Sequence, residues 1–147
     1  MARFTFRLQS VLNLREKVED QKELEYARAL QKVAEEEAKE RTLVERKALK
    51  TEELTELVSK EGIDPYEVSR YNDFIEVLKE RIVEQRKAVA TAKAAAEAKR
   101  LELVEAMRER KTIERLRENA FEEYLEEEKH LEQKQVDDVV SYKYAKS

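Results

Sequence analysis

The chain of 147 residues is 44% charged, with 34 acidic and 30 basic side chains, a net charge of −4, one glycine, one proline and no cysteine. This composition suits long helices and coiled coils and excludes disulfide frameworks, thiolate chemistry and any glycine-rich phosphate or dinucleotide loop. The slight acidity gives no general attraction to nucleic acid, no apolar run is long enough to span a bilayer, and Phe4, Phe6 and Leu8 alternate with Arg3, Thr5 and Arg7 where a signal peptide would be continuously apolar, so a cytoplasmic protein is expected.

The first predicted helix covers residues 4–61. Phe4, Leu8, Val11 and Val18 keep a 4-3-7 spacing, whereas Val33 to Val44 and Leu43 to Leu54 are eleven apart. The apolar stripe therefore drifts between seven- and eleven-residue repeats, which predicts weak supercoiling without a break. Residues 62–64 form the turn. Gly62 can take the left-handed conformation beyond a helix end. Asp64 can cap the following amides, Pro65 fits a first helical position that needs no amide, and Glu67 completes a capping box.

The second predicted helix covers residues 65–140, roughly 115 Å at 1.5 Å per residue. From Tyr71 it keeps strict 4-3 spacing through Ile75, Leu78, Ile82, Gln85, Val89, Ala92, Ala96, Lys99, Leu103, Ala106, Arg110, Ile113, Arg117, Ala120, Tyr124, Glu127 and Leu131. That is a coiled-coil seam with polar interruptions. Folding at Gly62 pairs residues whose numbers sum to about 125, so Leu54 meets Tyr71, Leu24 meets Leu101, Val18 meets Met107 and Phe4 meets Phe121. The Ala-rich run 88–98 then meets the alanines between 27 and 38, small against small. The expected fold is all-α: a long two-helix antiparallel coiled-coil hairpin with the second helix overhanging, a single elongated domain over 1–147 whose last residues, 141–147, form a frayed tail. Over residues 122–138 the overhang carries eight acidic side chains against Lys129 and Lys134, and beyond them come the apolar groups Val139, Val140, Tyr142 and Tyr144.

Catalysis needs converging groups in a pocket that excludes water, which a seam one side chain wide does not supply. No enzyme activity, cofactor or metal site is expected; His130 with Glu126 makes two of the ligands zinc requires, and solvated histidine is the simpler reading. The basic groups between Lys99 and Arg117 interleave with Glu102, Glu105, Glu109 and Glu114, as either an ion-paired helix surface or a docking face for an acidic partner. Phe74, Val77 and Val83 lie off the seam near the turn, as stripe filling or as a contact site. Tyr142 and Tyr144 are frayed tail or anchor.

The opening Phe4-Thr5-Phe6-Arg7-Leu8, followed by Val11-Leu12, Arg15-Glu16 and Glu19, resembles the start of the FliJ family of flagellar export proteins. The chain length resembles that family too, as does the run from Glu128 to Asp138, where Val136-Asp137-Asp138 departs conservatively from the family's Leu-Asp-Glu. The resemblance implies a component of the flagellar type III export apparatus at the cytoplasmic face of the membrane. It implies an antiparallel coiled coil similar to the central stalk of rotary ATPases, with a hexameric export ATPase, a membrane export gate protein and export chaperones as partners, and with no nucleic acid and no transmembrane segment. Carried onto this chain, the ATPase-facing residues are Phe4, Phe6, Leu8, Val11, Arg15, Phe121, Tyr124 and Leu131, and the gate contact involves Phe74 and Leu78. A generic scaffold coiled coil acting through helix–helix contacts shares the seam but has no use for apolar groups on an overhang. A homodimer in which both helices pair between chains is disfavoured by the turn signals.

Overall fold

The computed structural model describes residues 3–146, which form two antiparallel helices, α1 (Gln9–Val58) and α2 (Pro65–Lys146), with no strand among the described residues. The fold is a helical hairpin. At the turn, Gly62 has φ of +75° and open space where a Cβ would stand. The Asp64 carboxylate accepts the Tyr66 amide at 3.0 Å and its carbonyl accepts the Val68 amide at 3.3 Å, which places Pro65 at the first helical position of α2.

The helix limits differ from the sequence expectation at three ends. α1 stops at Val58 rather than at residue 61, because the Ser59 hydroxyl donates to the Glu56 carbonyl (2.7 Å) and the Lys60 amide to the Leu57 carbonyl (3.3 Å), tightening the last turn before the glycine is reached. α1 also begins at Gln9 rather than at Phe4. Residues 3–6 are non-helical, and exposure alternates from Arg3 to Leu8, with Phe4, Phe6 and Leu8 turned inward. That two-residue period belongs to an extended segment. α2 runs on to Lys146 instead of fraying after residue 140; nothing after Pro65 breaks a helix, and Lys143 and Lys146 sit in the last turn where cations complement the helix dipole.

α2 buries the stripe expected of it. Ile75, Leu78, Ile82, Val89, Ala92, Ala96 and Ala106 are its buried apolar residues, and all lie on the 4-3 series. α1 differs from the reading of a drifting stripe. Its half-buried and buried positions include Leu12, Arg15, Glu19, Lys22, Tyr26, Ala29, Val33, Glu36, Glu40, Leu43, Lys47, Lys50, Leu54 and Leu57, an unbroken 4-3 series in which charged residues take many places. Leu12 is the buried apolar residue of its first turns, with Val11 and Val18 half-buried beside the seam. Of the residues that suggested a drift, Val33, Leu43 and Leu54 belong to this series and Val44 stands outside it, and Leu24 and Leu101, expected to meet, are both exposed.

The charged seam positions of α1 meet the polar interruptions of α2. In the compact unit Lys22–Glu102, the Gln85 side-chain amide donates to the Glu36 carboxylate (2.5 Å) and to its backbone carbonyl (2.9 Å), while Lys99 reaches Glu25 at 3.5 Å and Lys22 reaches Glu102 at 3.7 Å. In the unit formed by the described residues up to Gln21 and from Leu103 onward, Arg110 pairs with Glu19, Arg15 with Glu109 at 2.6 Å, and Arg117 with the Gln9 side chain at 3.0 Å. These pairs, like Tyr71 with Glu53 at 3.2 Å, follow the expected register.

Glu36 is the buried charged residue of the seam. Hydrogen bonds from Lys32, Gln85 and Lys39 hold its carboxyl at about 2, against the partial burial that opposes ionisation. A carboxylate depressed in the folded state contributes stability above its unfolded value near 4.5 and loses that contribution as pH falls toward about 2. The melting temperature of Glu36→Gln should therefore lie below that of the parent by a constant margin above about pH 5, and the margin should shrink as the solution is acidified; an unchanged margin down to pH 2 would remove the Glu36 charge from the folding balance. Gly62→Val should cost about 1–2 kcal/mol in urea unfolding through left-handed strain alone, and Gly62→Asn clearly less, because asparagine tolerates this conformation.

Candidate partner-binding surface

The extended segment preceding α1 lies against α2. The Phe4 ring stands edge-on to Phe121 with centroids 5.1 Å apart and tilted against Tyr124 at 5.4 Å, and Phe121 and Tyr124 stack at 6.2 Å. The Arg117 guanidinium caps the Phe4 ring at 5.8 Å while donating to Gln9. A continuous helix 4–61 would have carried Phe4 on α1; instead a short strap crosses onto the aromatic pair, since aromatic burial outweighs the few helical hydrogen bonds that unfavoured residues 3–8 would gain.

Of the residues assigned to this end from sequence, Phe4, Phe6, Leu8, Val11 and Tyr124 are half-buried, Phe121 is 42% exposed, and Arg15 is held in its ion pair with Glu109. The structure thus brings Phe4, Phe121 and Tyr124 into one cluster. Leu131 lies farther along α2 and is 55% exposed. Every residue from 129 to 146 is exposed, including Val136, Val139, Val140 and Tyr142. Sequence reasoning passed over two members of this surface. Arg117 counted as a seam interruption and as the end of a basic stretch, although its place one turn before Phe121 puts it within reach of the cluster; Leu125, four residues after Phe121, was legible from helical spacing.

The second assigned surface is only partly available. Phe74 is 39% exposed and Val77 is also exposed, but Leu78 is fully buried in the seam and presents nothing to a partner. The Lys50 ammonium lies over both the Tyr71 and Phe74 rings, at 5.8 and 5.7 Å, and pairs with Glu53 at 3.2 Å. An open groove of about 660 Å³ runs beside these residues, with Arg70, Asp73 and Val77 on its walls.

Among the described residues no three metal-ligating side chains converge, and no helix is long and apolar enough to cross a membrane. The model of the flagellar FliJ protein family matches residues 4–147. The chain belongs to the FliJ family. It is accordingly a component of the flagellar export apparatus, in a family whose members serve as structural parts of that apparatus. No curated protein and no solved structure matches the chain.

In this FliJ family member, Phe4→Ala should free the strap. Each lost aromatic contact is worth about 0.5–1.5 kcal/mol, so the aromatic resonances of Phe121 and Tyr124 should move and amide exchange should quicken at residues 5–9. Protection within α1 beyond its first turns should persist. Unchanged Phe121 resonances would show that the strap does not depend on Phe4.

Proposed function

We propose that this chain binds the hexameric flagellar export ATPase through the strap and the free end of α2, in the manner of a rotary-ATPase central stalk. The observation that carries this reading is the exposure of Leu125, Leu131, Val136, Val139 and Val140 on a part of α2 that is exposed throughout from residue 129 to 146. A solitary α-helix, about 10–12 Å across with its side chains, is narrow enough to enter the opening of a ring. Apolar groups held in water along such a helix are what a protein partner covers. The chain supplies binding and its partner supplies nucleotide chemistry. A stalk biases the ring only by contacting its subunits unequally, because equal affinity for all states shifts no equilibrium.

Phe74 with Val77 is the face we assign to the membrane export gate, in place of the buried Leu78; that contact and the export chaperones would hold the protein peripherally at the cytoplasmic membrane. Arg15 acts in this scheme by fixing α1 against α2 through Glu109, so that the strap leaves α1 at a set level.

Deletion from Lys129 onward removes only exposed residues. The truncated chain should retain its helical signal per residue and its melting temperature to within a few degrees, yet lose retention on the immobilised export ATPase. A truncated chain that binds as the parent does would move the ATPase contact away from the end of α2; one that melts broadly would show that the removed segment folds onto the hairpin.

A further inference from the structure

The free end of α2 has two unlike sides. At 100° per residue, Phe121, Tyr124, Leu125, Leu131, Val136, Val139 and Tyr142 fall within an arc of roughly 140°. Glu128 and Glu132 lie inside that arc, Glu122, Glu127 and Asp138 flank it, and Glu123, Glu126 and Asp137 face away. Over residues 122–138 there are eight acidic side chains and two basic ones. The first turn of the same stripe already has an occupant: the strap, whose Phe4 rests on Phe121 and Tyr124 while Arg3 and Arg7 stay exposed at its sides. Apolar side chains interleaved with arginine are therefore what this face accepts where it is covered.

Charge excludes a second copy of the chain as the occupant of the remainder. Pairing two such ends sets acidic segment against acidic segment and brings Glu128 and Glu132 into a shared low-dielectric contact, which is unfavourable in either direction of pairing. We infer that the stripe from Leu125 to Tyr142 docks a basic amphipathic helix of another protein, with an apolar face for Leu125, Leu131, Val136 and Val139 and Lys or Arg along its edges for Glu128, Glu132 and the flanking carboxylates. Helix-in-groove recognition uses this i, i+3, i+4, i+7 set of anchors, and the surrounding carboxylates steer the encounter and select sign. This rests on the reading of the α2 end as the ATPase-facing surface, and names the chemistry that surface recognises.

The probe is a designed amphipathic helical peptide with leucine on one face and lysine or arginine at its edges, labelled and titrated into the full chain by fluorescence anisotropy. A matched peptide with glutamate at the same edges serves as control. The basic peptide should bind, weaken at least about tenfold as salt rises from dilute buffer to several times physiological strength, and weaken at least about tenfold on the variant Leu131→Ser/Val136→Ser/Val139→Ser. These positions are exposed, so circular dichroism should show the hairpin intact. Equal binding of the two peptides, binding unaffected by the triple substitution, or a chain that self-associates through residues 125–142 would each overturn the inference. Retention on the export ATPase is read in parallel. Peptide binding lost by the variant with ATPase retention intact supports the docking chemistry and overturns its assignment to the ATPase. ATPase retention lost with peptide binding intact overturns the inference and leaves the ATPase reading standing.

Discussion

The contact on which the molecule depends is the match between charged seam positions of α1 and polar seam positions of α2. An apolar seam alone is tolerant of slippage, because any shift by a heptad restores leucine against leucine. Here a shift would strand Gln85 against an apolar level and leave Glu36 buried without the amide that donates to it. It would likewise separate Arg110 from Glu19, the most enclosed of the ion pairs between the helices, with side chains 19% and 13% exposed. Exposed pairs such as Arg86 with Glu40 add little stability. The enclosed ones penalise the wrong register, since an unmatched buried charge costs far more than a matched one contributes.

Register then determines where function can reside. Within the unit that contains both the strap and the free end of α2, the pairing of Arg117 with Gln9 sets the level at which α1 stops and the strap begins. Phe4 consequently reaches Phe121 and Tyr124, and residues from 129 onward stay at the surface. The exposed apolar groups of α2 are thus the residue of a pairing that ends before the helix does. Nothing about their own sequence makes them sticky; Leu78 and Leu131 occupy the same 4-3 series, and only the presence or absence of a facing helix separates a fully buried side chain from one 55% exposed.

How much of this was legible in the chain follows from the same physics. Gly62, Asp64 and Pro65 announce the turn because each has a conformational or hydrogen-bonding reason to be there, and the 4-3 series of α2 is readable because most of its members are apolar. The α1 seam was obscured by its charged members: apolar periodicity pointed to Leu24 and Val44, which face outward, and missed Glu19, Glu36 and Lys50, which face in. A seam carries a pattern of pairing, and hydrophobicity reports it only where both partners are apolar. Reading α2 first and asking what must oppose Gln85, Lys99 and Arg110 would have recovered it. Phe4, Phe6 and Leu8 fit either a helical or an extended period, so the choice between them was made by Phe121 and Tyr124, far away in sequence. Near the turn the reading met a related limit: spacing that brings Phe74 and Leu78 onto adjoining turns does not say which of them the seam will consume.

The division between a well-specified seam and a loosely covered end is what a structural part of an export machine requires. A helix pair whose register could slip would present its strap and its free end at variable levels, and a partner would meet a mixture of surfaces with the average of their affinities. Locking the pair with polar layers removes that mixture without lengthening the apolar core. The same locking leaves apolar side chains exposed at the end of α2, because α1 begins at Gln9 and the strap covers only the first turn of the stripe. Their exposure is compatible with solubility because carboxylates surround them, so that collapse onto like copies is opposed while approach to a basic surface is favoured. In the docking proposed for this stripe, affinity for a partner and resistance to self-association therefore arise from one arrangement of residues, its acidic setting.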